Sequence, residues 1–139
     1  MTGPRDSLPI LVKPHRLRGT GFVQLVGSGR IVLALCGEGH VVVSRRRRVR
    51  MVFEGSGRRR DPGPDCVVLV EPRGTLALDG PDLEVEFRGG FVSIEVEGAF
   101  DVTLDGSGEI EAPGGERTGW GLHPRLLRFD GARTAPRAA

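Results

Sequence analysis

Residues 31–57, IVLALCGEGHVVVSRRRRVRMVFEGSG, decide the fold, because a second stretch at 83–108, LEVEFRGGFVSIEVEGAFDVTLDGSG, repeats their apolar spacing. Aligned from their shared ends, Val49, Met51 and Phe53 fall on Phe100, Val102 and Leu104, and Ile31, Leu33 and Leu35 fall on Leu83, Val85 and Phe87. Apolar residues recurring every second position mark strands, since successive β side chains point to opposite faces. The pattern predicts one β unit written twice, with the core repeated and the surface not. Where the first copy carries Arg46 and Arg50, the second carries Glu97 and Asp101.

Outward from these copies the turn chemistry is regular. From Gly19 the chain runs in segments of five to eight residues punctuated by glycine: GTGFVQLVG, SGRIVLALCG, EGHVVVS, RVRMVFEGSG. Turn signals at this spacing predict an all-β domain of two similar halves, about ten short antiparallel strands forming a barrel, sandwich or roll. A β-solenoid of stacked coils is the alternative. In Ile31 to Cys36 both odd and even positions are apolar, so that strand is expected to be central or to lie under another subunit. In 83–97 the alternation is clean: Leu83, Val85, Phe87, Val92, Ile94 and Val96 face a core, and Glu84, Glu86, Glu95 and Glu97 face water.

Between the copies, Arg58 to Asp65 has the composition of an exposed loop and is the best place for a linker. Residues 1–16, with Pro4, Pro9 and Pro14, read as a flexible arm. Its Leu8 to Val12 run is suited to an edge strand on the body or on a neighbouring subunit. Residues 17–130 form the single β domain, with Pro113 to Gly121 as a second loop. Leu126 to Phe129 is the closing strand beside Trp120, and 131–139 is a disordered tail.

At 139 residues the chain can bury roughly two thirds of its unfolded surface in one core. With 22 glycines, 10 prolines, six phenylalanines, one tryptophan and no tyrosine, that core is Val, Leu and Ile, and helix is expected to be nearly absent. No apolar run approaches the ~20 residues of a spanning helix. Two isolated cysteines and no leader-like N-terminus place the chain in a reducing cytoplasm.

Net charge is +2, yet residues 1–60 carry 13 basic and 3 acidic groups while residues 61–139 carry 7 and 15. Two candidate surfaces follow. The basic patch comprises Arg45, Arg46, Arg47 and Arg48 at a hairpin tip, with Arg50, Arg58, Arg59 and Arg60. The acidic face comprises Glu84, Glu86, Glu95, Glu97, Asp101 and Asp105. Clustered guanidinium groups attract phosphate through counterion release, so nucleic acid or another polyanion is a candidate partner. Single-strand binders usually interleave aromatic platforms, however, and only Phe53 is near, at a core position. The acidic residues are spread along strands rather than set on a tight calcium-binding turn. Cys36, His40, Cys66 and His123 are the right atoms for zinc without its usual spacing. The Gly-x-Ser-x-Gly elbow, the phosphate-binding glycine loop and the His-Glu-x-x-His pair are all missing, and Gly27-Ser28-Gly29 and Gly55-Ser56-Gly57 read as turns. The expectation is a non-enzymatic protein without cofactor or metal. It would self-associate, basic half to acidic half, as a homo-oligomer; an anion- or nucleic-acid-binding module is the alternative.

Residues 19–54 carry a Gly-x-Gly-x-Val-x-Leu start, Gly19 to Leu25, and a Gly-Glu before the valine strand at Val41 to Val43. In these features the stretch resembles the first β repeat of the TRAP-like β-roll family that includes the altered-inheritance-of-mitochondria proteins. The second copy lacks that family's later glycine-proline-glycine strand opening. The resemblance implies a trimeric or ring-like β-roll without catalytic activity, and assigns no functional residue.

Overall fold

A computed structural model describes residues 10–11, 15–45, 49–63, 65–112, 114–120 and 125–130. Among them the chain is all-β and without helix. Its strands are β1 (Ile10–Leu11), β2 (His15–Cys36), β3 (His40–Arg45), β4 (Arg50–Gly63), β5 (Cys66–Glu111), β6 (Arg117–Gly119) and β7 (Arg125–Asp130). β2, at 22 residues, and β5, at 46, far exceed ordinary strand lengths because they bend at glycines without breaking their ladders. This is why seven strands stand where turn spacing predicts about ten.

Register sorts the bent strands into two layers around one core. In the first, Phe53 of β4 lies opposite Leu76, Leu76 opposite Leu33, Leu33 opposite Ile94, Ile94 opposite Leu17, and Leu17 opposite Ile110. In the second, Val67 lies opposite Val43, Val43 opposite Val85, Val85 opposite Leu25, Leu25 opposite Val102, and Val102 opposite Leu127 of β7. Apart from Phe53, which is partly buried, every residue of both rows is buried in a single cluster. On the far side of β7, β1 adds Ile10 opposite Arg128 and Leu11 opposite Phe129.

The two rows are reciprocal. Residues 31–36 sit between 74–78 and 92–96, just as 83–88 sit between 21–27 and 40–45. Each layer therefore interleaves strands from both halves of the chain, an arrangement of the sandwich or roll kind, not closed into a barrel. It also differs from a solenoid, in which each coil would pair only with its sequence neighbours. If Leu33 and Val85 are equivalent, the ladder makes Leu76 equivalent to Leu25 and Phe53 equivalent to Val102. Alignment from the shared ends sets Met51 on Val102. Register moves that third strand by two residues and sets Met51 on Phe100.

Glycine makes the change of layer possible where two strands cross in contact. Gly29 (φ +137) and Gly98 (φ +121) lie opposite one another, with conformations that L side chains rarely adopt. A Cβ on Gly29 would strike the Glu97 carbonyl oxygen and sit 2.9 Å from the Gly98 Cα; one on Gly98 would strike the Ser28 carbonyl and sit 2.8 Å from the Gly29 Cα. Gly21 and Gly106 repeat the arrangement at the next corner. A third close approach, Gly19 against Gly108, is roofed by Trp120, which is 1% exposed and donates its indole N–H to the Glu109 carbonyl at 3.2 Å.

Alternation in 83–97 holds, with Leu83, Val85, Phe87, Val92, Ile94 and Val96 all buried. Residues 31–36 are central, flanked on both sides, with Val32 and Ala34 on the outer surface. The linker expected at Arg58 to Asp65 is instead mostly strand: β4 continues through Gly63, setting Arg58 opposite Val70 and Arg60 opposite Val68. An edge strand pairs on one side only, so it accepts arginines and Pro62 where a central strand would not. Part of the second expected loop, 117–119, pairs with 109–111 as β6. His15 and Arg16, assigned to the arm, already belong to β2. The tail 131–139 lies outside the described residues.

Candidate assembly surface

The charged residues occupy strands whose neighbours come from the other half of the chain, so opposite charges meet inside one molecule. Across the halves Arg16 donates to Glu95 at 2.5 Å and Arg18 to Glu111 at 2.7 Å, while within the second half Arg128 donates to Asp101 and Arg88 to Glu86, each at 3.0 Å. Glu95 raises the Arg16 guanidinium above its ordinary pKa, first through their hydrogen bond and then through its charge. These pairs are largely solvated, and such pairs contribute about 0–1 kcal/mol each. They tidy the surface more than they hold the fold.

The six candidate acidic residues do not form one face. Glu84, Glu86, Asp101 and Asp105 lie on the outer side of the second layer, opposite Val26, Gln24, Arg128 and Phe22. Glu95 and Glu97 lie on the first layer, opposite Arg16 and Arg30. The basic residues divide similarly. Arg50 is exposed on the first layer, opposite Asp79, and Arg58, Arg59 and Arg60 are exposed on the second layer's edge. Arg58 bonds Glu71 at 3.2 Å and Arg59 bonds Asp61 at 3.1 Å. Arg45 ends β3 opposite Leu83, and Arg46, Arg47 and Arg48 lie outside the described residues.

Cys36 and Cys66 are free thiols on different layers, the first with its Sγ 3.3 Å from the Phe91 carbonyl oxygen. His40 lies opposite Val70 and Arg88 on the second layer, and His123 lies outside the described residues. Among the described residues no His, Cys, Asp and Glu side chains are grouped as a metal ion would require. Nor do the described residues contain a helix long and apolar enough to cross a membrane.

One surface feature is absent from the charge pattern. On the outer side of the first layer Val32 lies opposite Ala77, and Ala77 opposite Val52, an apolar strip that ends at the free side of β4. Val52 is 50% exposed. In the second layer residues 99–104 are covered by β7, and Phe100 and Val102 are 2% and 1% exposed. Among the described residues no strand covers 50–56, and Val49, Met51 and Phe53 are only partly buried. The sequence holds a trace of this in Met51-Val52-Phe53, where both strand faces are apolar, the same signature carried by 31–36.

Comparison with protein-family models, curated proteins and solved structures finds no match to this chain.

Proposed function

We propose that this protein is a non-enzymatic assembly module that associates with copies of itself, and that its two similar halves descend from one duplicated β unit. The observation that carries the assembly reading is strand 50–56: apolar on both faces at Met51 to Phe53, open along one side among the described residues, and flanked by opposite charges at Arg50 and Glu54. An open edge of this composition is a template for another strand. Complementary charges beside it set register and encounter rate more than affinity. The reciprocal register of the two layers supports the duplication. In this reading the arginine-rich first half and the acidic second half supply steering charges.

Gel filtration against salt tests it. A species larger than the monomer at low salt, whose population falls as salt rises, is expected. The rival reading is polyanion binding by Arg45 to Arg48 with Arg58 to Arg60, favoured by the exposure of the latter three and opposed by the carboxylates already bonded to Arg58 and Arg59. A salt-independent monomer that retards single-stranded RNA or DNA would replace assembly with that reading.

A further inference from the structure

We infer that the partner on this edge is a second copy of the same strand: residues 50–54 pair antiparallel with residues 50–54 of another chain, about a two-fold axis through Val52. The inference rests on the assembly reading and adds its surface, symmetry and register.

Arg50-Met51-Val52-Phe53-Glu54 is complementary to itself when reversed. Antiparallel pairing centred on Val52 sets Arg50 opposite Glu54 of the second copy twice, Met51 opposite Phe53 twice, and Val52 opposite Val52. Directly opposed side chains are the unit of sheet stabilisation, and opposite charges there are favourable where like charges are not.

The rows already present in the first layer run into this register. Across its outer surface Glu97 lies opposite Arg30, Arg30 opposite Asp79, and Asp79 opposite Arg50. Signs alternate on four successive strands, and Glu54 of the second copy is the acid that continues them. The neighbouring row, Val32, Ala77, Val52, would meet its own mirror image and form an apolar stripe across six strands. A one-residue slip would break both rows, since it turns side chains to the opposite face. Beyond Glu54 the strand reaches Gly55, whose φ of +157 begins the passage to the other layer. There the continuing edge carries Arg58 to Arg60 and Pro62, which guard it against pairing.

The fold shows what a covered edge looks like here. β7 lies along 99–104 with Arg128 bonded to Asp101 and Leu127 and Phe129 buried. A second copy of β4 would perform the same service for 50–54. Because the contact uses the same patch on both chains it is isologous, and it closes as a dimer rather than running on as a filament.

The experiment uses the full chain with Cys36→Ser and Cys66→Ser, adding either Val52→Cys or Val32→Cys. Opposed residues on neighbouring strands fall within disulfide reach, whereas two copies of position 32 would stand about 24 Å apart across five strand spacings. Mild oxidation should cross-link the Val52→Cys protein into a dimer and leave the Val32→Cys protein uncross-linked. In the wild-type background, Glu54→Arg should weaken dimerisation at least tenfold, and Arg50→Glu with Glu54→Arg should recover part of it, since the acid at position 50 then faces Asp79 of its own chain. Association without cross-linking at position 52 would overturn this register and leave the assembly reading standing. A protein that stays monomeric at low salt and high concentration would overturn both.

Discussion

Gly29 shows how one position can carry a whole corner. Its φ of +137 is adopted cheaply only without a side chain, and the Gly98 backbone occupies the space a Cβ would need. Alanine there combines strain with backbone collision. Gly29→Ala should therefore lower stability by about 2 kcal/mol or more in urea unfolding. Gly114 has no positive φ and nothing within 4 Å of a built Cβ, so Gly114→Ala should stay within about 0.5 kcal/mol of wild type. From the sequence, glycines at 27, 29, 55 and 57 read as turns, which is half of what they do. Local chemistry reveals the need for positive φ, but that Gly29 faces Gly98 depends on pairing across 69 residues, to which no neighbouring residue points. Trp120 was similarly legible as a neighbour of the closing strand and not as the roof over Gly19 and Gly108.

Among the described residues β4 is open along one side while 99–104 are covered by β7, and the contrast predicts how truncations rank. Phe129 of β7 is buried against the core, so Phe129→Ala should cost about 3–5 kcal/mol. Phe53 is only partly buried, and in dilute monomer Phe53→Ala should cost less, about 1–2 kcal/mol in proportion to the area withdrawn from water. Denaturant titrations at low protein concentration rank the two. The clean alternation of 83–97 made its strands legible, because a single buried face writes a period of two directly into sequence. Arg58 to Gly63 was not legible, because an edge strand exposed to water has the composition of a loop. Val52 lay between these cases: its apolar character was visible in the sequence, but the open side beside it exists only once the layers are assembled.

Across the whole molecule, interleaving changes the meaning of the charge asymmetry. Thirteen basic groups in the first 60 residues and fifteen acidic ones in the remainder suggested two opposed faces. Because 91–97 enter between 15–20 and 30–36, the charges instead meet on adjacent strands, on surfaces where matching them requires no desolvation. Glu95→Gln removes one such partner, and its effect on folding stability should remain within about 1 kcal/mol and shrink as salt rises. Thermal unfolding at two salt concentrations checks this. Sequence order could reveal the sum of charge in each half but not the crossing of the halves. The apolar strip and open edge then become the stronger candidates for association, with charge as the guide to register. Sedimentation velocity of the wild-type chain over a wide concentration range at low salt tests that claim most directly. A reversible monomer–dimer equilibrium that Glu54→Arg shifts toward monomer is the expected result; a single monomeric boundary at every concentration would contradict it.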